Sequence, residues 1–256
     1  MWDGREPSLA SQATDATLGH AQGDNPPPPE QQQQIVAFES GLFTAQLFDN
    51  GAKYLNSIGA SGGPEALSNQ LSLFFIGIND PFGLNPTEDP FSPNIFDIYD
   101  AWGRLVGLGD TTAKREQIAR GEEIFNSKAI NITGVAGIND ALQATSVAGF
   151  CGTCHDTPSA GDHSVKAPLN IGVADAGLNA PPSLDISDLA VFTLRCASGP
   201  LVGQSFVVTD PGRALISGKC TDIGKLKGSS AARPCDARAL FSQWLGQNID
   251  RRSQLL

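Results

Sequence analysis

The pentapeptide Cys151-Gly152-Thr153-Cys154-His155 concentrates the chemistry of this chain. Two thiols separated by two residues lie about one helical turn apart, so both can add to the vinyl groups along one edge of a porphyrin while the adjacent imidazole is presented to the iron. That spacing is the attachment motif of c-type haem, with Cys151 and Cys154 as covalent anchors of one haem c and His155 as its proximal iron ligand. Gly152 and Thr153 are small, and Asp156-Thr157-Pro158 ends the helix expected at the motif. Two other uses of such a pair are a thioredoxin-like redox pair, expected near a βαβ pattern, and half of a zinc site, which needs a second ligand pair; neither context is visible in the sequence.

Several residues compete for the face of the iron opposite His155. Met1 is the only methionine, so thioether ligation requires the N-terminus to fold back. His163, in Gly161-Asp162-His163-Ser164, reads first as a solvated loop histidine and second as the distal ligand. Lys166 and Tyr99 are further candidates. Cys196 and Cys220 flank a β-prone excursion, which in an oxidising compartment points to a disulfide, free thiols being the alternative.

The elements that must position these residues are short. The 256 residues are 40% hydrophobic, 17% charged and 7% aromatic, enough apolar material for one or two cores, while 28 Gly and 17 Pro disfavour long bundles and coiled coils. Lys114 to Asn126 reads as a helix leading towards the motif, with Ile118, Gly121 and Phe125 on one face. After a low-complexity joint, Pro26 to Pro29 and Gln31 to Gln34, an amphipathic helix is expected over about 30–49, carrying Ile35, Phe38, Leu42, Phe43 and Phe48 as a core stripe. A short helix is expected from Asn94 to Val106, and loops surround the apolar stretch Leu71 to Ile78. Leu189 to Arg195 and Ser205 to Val208 are β-prone, and Asp210-Pro211-Gly212 starts a short helix to Ser217. The expected class is mainly α, with long loops and a small β excursion.

Acidic residues outnumber basic ones 27 to 17, a net charge of −10, which argues against nucleic acid or an anionic membrane as the main partner. No apolar run approaches the ~20 residues of a membrane span. The chain as written opens without an export signal.

Arg120-Gly121-Glu122-Glu123-Ile124-Phe125, the Cys151–His155 motif and Leu169-Asn170-Ile171-Gly172-Val173 together resemble the second cytochrome c domain of the bacterial di-haem peroxidase family, which includes cytochrome c peroxidases and MauG-like enzymes. Trp2-Asp3-Gly4-Arg5 resembles the WDGR segment late in that family's first haem domain, and Gln12 falls where the family places a glutamine near the first haem. The resemblance implies a remnant of the first haem domain over 1–24, a helical insertion over 25–110 and a cytochrome c-like haem domain over 111–228. It makes Trp2 the relay between two haems and Gln12 part of the first-haem pocket. His20 stands where an acid–base group for peroxide could sit. Calcium between domains is a family feature, for which Asp185, Asp188 and Asp210 are candidates, although they lack a loop-type ligand spacing.

The chain departs from the family in having no Cys-x-x-Cys-His before Trp2, so the peroxide-reactive haem has no anchor and the N-terminal haem domain of the parent is a missing partner. Residues 229–256 carry 4 Arg and no Lys, against 6 Arg and 7 Lys up to Lys227, with an unpaired Cys235. Synonymous codons for Ala237 to Asp250, read one base later, can spell the Ala-Pro-Tyr-Phe-His-Asn-Gly-Ser stretch with which the family continues. An out-of-frame tail is expected from about residue 229.

Three functions follow as expectations. The first is an electron-transfer domain, the relay half of a di-haem peroxidase-like oxidoreductase, whose donor is a small redox protein. The second is a stand-alone haem peroxidase with an open iron site. The third is a non-functional gene fragment. Because covalent haem attachment takes place outside the bacterial cytoplasm, the expected location is the periplasm.

Overall fold

The structure, a computed structural model, describes residues 6–40, 45–70, 75–180 and 185–227. It begins with helix α1 (Leu9–Asp15), which runs into a π-helical turn (Ala16–His20), and α2 (Pro29–Ser40). Strands β1 (Phe48–Asp49) and β2 (Lys53–Tyr54), helix α3 (Pro64–Gln70), a 3-10 turn (Asp100–Arg104) and the long helix α4 (Asp110–Ser127) follow. Then come β3 (Ile130–Ile132), β4 (Val147–Gly149), 3-10 turns at Cys151–Thr153 and Gly177–Asn179, β5 (Phe192–Arg195), β6 (Ser205–Val208), α5 (Ala214–Ser217) and a 3-10 turn at Cys220–Asp222. The strands pair antiparallel in three two-stranded ribbons, β1 with β2, β3 with β4 and β5 with β6.

This is not the mainly α, cytochrome c-like architecture expected from the sequence. Helix takes 32% and strand 11% of the described residues, and no clear cytochrome c-like fold results. Between Ser127 and Ala214 the described residues contain no α-helix. The physical reason is local competition. Side-chain oxygens of Asp49, Asp80, Asn85, Asn170 and Asp210 accept the backbone N–H two residues on, offering the chain a turn in place of a helix.

The expected helices shrink accordingly. Asn94 to Val106 yields only the 3-10 turn at Asp100–Arg104, and the helix expected to 49 ends at Ser40. No residue of α2 is buried, Phe38 is 66% exposed and Phe48 is exposed too, so the described part of the aromatic stripe is not core. Leu42, Phe43 and residues 71–74 lie outside the described residues, as do Trp2 and the tail 229–256. No helix among the described residues is long and apolar enough to cross a membrane.

The chain forms two compact units, each assembled from non-contiguous stretches. One unit draws on 44–134 and 142–167 and contains the Cys151–His155 motif. Its core gathers Leu55, Ile95, Phe96, Ile98, Tyr99 and Trp102 against Ala119 of α4.

The buried face of α4 is Arg115, Ala119 and Glu122, two of them charged, and both charges have partners. Arg115 donates to the Ala52 carbonyl (2.9 Å) and the Ser57 hydroxyl (2.8 Å), with its guanidinium 5.1 Å from the Trp102 ring. Glu122 accepts the backbone N–H of Tyr99, 3.0 Å from each carboxylate oxygen. At the end of the helix, Asn126 accepts the N–H groups of Ile95 and Phe96 and donates to the Phe96 carbonyl, which ties the segment carrying Ile95 to α4.

The other unit draws on 1–43, 135–141 and 168–227. In it, Gln32 of α2 donates to the Ala10 carbonyl and the Thr14 hydroxyl of α1, both at 2.9 Å. The β5–β6 ribbon falls inside the two β-prone stretches and packs Val208, Leu194 and Phe206 around Ile223 and the disulfide between Cys196 and Cys220.

Candidate functional site

Strand β4 delivers the chain to Phe150, whose N–H donates to the Thr153 hydroxyl (2.9 Å), and the backbone then turns tightly over Cys151–Thr153. The N–H groups of Cys154 (3.2 Å) and His155 (3.0 Å) both return to the Cys151 carbonyl, so the two thiols and the imidazole share one turn. Gly152 is required there, because a Cβ would fall 2.7 Å from Cγ1 of the buried Ile95. From α4, the Phe125 ring packs on Phe96 (5.0 Å between centroids) and comes within 6.1 Å of the His155 ring.

His155 Nδ1 lies 2.8 Å from the Gly161 carbonyl oxygen. A carbonyl only accepts, so Nδ1 carries the hydrogen, and in the neutral imidazole this leaves the lone pair on Nε2, the tautomer a metal-binding imidazole needs. Gly161, at φ +63°, aims that carbonyl back along the loop while its own N–H donates to the Thr157 carbonyl (2.7 Å).

Beyond the motif, the Asp156 carboxylate is fully buried. Its Oδ1 accepts the backbone N–H of Ser164 (2.7 Å) and the Ser164 hydroxyl, and its Oδ2 lies 3.0 Å from His163 Nδ1. His163 Nε2 lies 3.1 Å from the Ala167 carbonyl. Asn79 donates to the Asp156 carbonyl (2.9 Å) and the Ser92 carbonyl (2.8 Å). His163 is only 1% exposed and both its nitrogens face protein oxygens, so it is neither the solvated loop histidine nor a ligand turned towards a metal.

The other candidates are dispersed. Tyr99 stacks on Trp102 in the core (4.9 Å), where burial raises the pKa of its hydroxyl, and Lys166 is exposed. Gln12 on α1 and His20 in the π-helical turn belong to the other unit. Asp185 accepts from Ser187 and Asp210 from Gly212, so each closes a turn. Among the described residues, no group of three or more His, Cys, Asp or Glu is placed to hold a metal ion.

The thiols themselves test the fit to haem c. Burial pushes the Cys151 thiol up, and burial followed by the Asp156 and Cys151 charges pushes Cys154 to about 11. The buried Thr157 hydroxyl has no hydrogen-bond partner among the described residues. Two thiols on one turn with an imidazole whose Nδ1 is engaged are the donor set that a haem c would take.

No protein-family model matches this chain, and no curated protein and no solved structure is detectably similar to it. Asp156, Gly161, Ser164 and Asn79 escaped the sequence reading.

Proposed function

We propose that Cys151 and Cys154 hold one covalent haem c with His155 as its proximal ligand, and that the chain is an electron-transfer protein, the relay half of a di-haem peroxidase-like oxidoreductase. One observation carries this reading: a Cys-x-x-Cys-His turn whose histidine has its Nδ1 engaged by a backbone carbonyl. Bound there, the haem supplies a one-electron carrier. Gly161 orients the His155 ring, Gly152 lets the turn sit against Ile95, and Phe125 packs beside the imidazole. The Cys196–Cys220 disulfide supports an oxidising compartment such as the bacterial periplasm, and the net charge of −10 suits a basic redox protein as donor.

The test is expression of the full chain behind an export signal in a host with haem c maturation machinery, followed by pyridine haemochrome quantitation and haem staining of denaturing gels. One covalent haem per chain, lost in the Cys151→Ala/Cys154→Ala double variant, is the expected result. A chain recovered folded and exported without covalent haem overturns it. On the same sample, low-spin six-coordinate iron fits a relay, and high-spin iron that turns over peroxide fits a peroxidase.

A further inference from the structure

We propose that His163 is a positioning residue for His155. With Asp156 it closes a buried brace that holds the Gly161 carbonyl on His155 Nδ1 and so sets the donor strength of that imidazole. The geometry of the brace is independent of the haem assignment; its effect on a reduction potential rests on that reading.

The segment from His155 to Ser164 must leave the motif and come back so that Gly161 faces His155. Two backbone bonds shape its inner turn, from the Gly161 N–H to the Thr157 carbonyl (2.7 Å) and from the Thr157 N–H to the Asp162 carbonyl (3.0 Å). That turn needs left-handed backbone at both Ser159 (φ +60°) and Gly161 (φ +63°), and Ser159 has a Cβ that disfavours it. Such a conformation persists where the surroundings over-determine it.

The surroundings here are side chains joining the two ends of the loop. Asp156 follows the motif directly, and its carboxylate grips Ser164 through one oxygen and His163 through the other. His163 then fastens the far end outward through Nε2 to the Ala167 carbonyl. Asn79 and the Gly77 N–H anchor the backbone at Asp156 and Ser164. Without His163, a fully buried carboxylate keeps Ser164 but loses the partner of its second oxygen, and the Ala167 carbonyl loses its donor; the two ends of the loop part and the Gly161 carbonyl between them shifts off His155. Because a hydrogen bond at Nδ1 raises the basicity of a ligating imidazole and favours the oxidised metal, loosening it shifts a bound haem to higher potential.

Three variants of the full chain separate this role from general stability. His163→Asn places an amide nitrogen where Nδ1 stands, His163→Gln places one where Nε2 stands, and His163→Leu supplies neither. The first readout is hydrogen exchange at the His155 ring N–H by nitrogen-15 NMR, uncrowded because the chain has three histidines; it works on the purified chain with or without haem. The proton is expected to be protected in wild type and His163→Asn, and to exchange at least tenfold faster in His163→Leu.

The second readout is the midpoint potential of haem-loaded chain, raised in His163→Leu and restored in His163→Asn. Wild-type protection in His163→Leu overturns the brace. Should that variant fail to fold, the amide pair decides: protection in Asn but not in Gln supports the brace, and identical behaviour of the two overturns it. If wild type carries no covalent haem, the haem reading falls while the exchange measurement still judges the brace.

Discussion

Glu122 is a carboxyl on the buried face of α4, and its pKa is raised from 4.5 to about 7, first by burial and then by the Asp100 and Asp97 charges, against the pull of the Tyr99 and Ile98 N–H groups. Below pH 4.5 it is neutral in both folded and unfolded chain. As pH rises from 4.5 towards 7 the unfolded chain gives up the proton while the folded chain keeps it, so stability falls through this window and levels off above it. Glu122→Gln should flatten that decline, as read by urea midpoints at pH 4.5 and 7.5. A second residue-scale prediction concerns the motif. Gly152→Ala drives a Cβ into the stiff, buried Ile95 and should destabilise by about 1–3 kcal/mol in urea unfolding, whereas Thr153→Ser, which keeps the hydroxyl bonded to Phe150, should cost less than half as much.

At the level of elements, α4 organises the motif's unit from its end. Asn126→Ala removes the side-chain acceptor of the Phe96 N–H and one of two acceptors of the Ile95 N–H, which keeps the Pro93 carbonyl, and should cost roughly 1–3 kcal/mol in the same assay. α4 itself was legible, since Ile118 and Phe125 recur at helical spacing and the helix extends just beyond the expected ends. The β5–β6 ribbon was legible for a similar reason, because Phe192-Thr193-Leu194-Arg195 and Ser205-Phe206-Val207-Val208 combine β-branched and aromatic residues. The two charged residues on the buried face of α4 were not, because their partners lie far off in sequence and include backbone groups such as the Ala52 carbonyl and the Tyr99 N–H. The loop after the motif was hidden for the same cause: Asn79 and Asp156 meet across 77 positions, and polar closure of that kind leaves no period in the sequence. In α2 the error ran the other way, an apolar spacing that the fold leaves uncovered.

For the molecule as a whole, the two units are held by different means. The disulfide lies in the unit that lacks the motif, and closing its loop should contribute roughly 2–4 kcal/mol. Replacing Cys196 and Cys220 by Ser should lower the unfolding midpoint of the ribbon while the brace around His155 keeps its exchange protection, a contrast visible by residue-resolved hydrogen exchange. Trp102, by comparison, is wholly enclosed, with its indole N–H on the Ser57 carbonyl and Arg115 against its ring. It is thus a built-in lamp for the motif's unit. Once Trp2 and Trp244 are replaced by Phe, the remaining emission should be blue-shifted in the folded chain, redden when that unit opens and dim when a porphyrin is attached at Cys151 and Cys154, so that light alone reports both the integrity of the unit and its cargo.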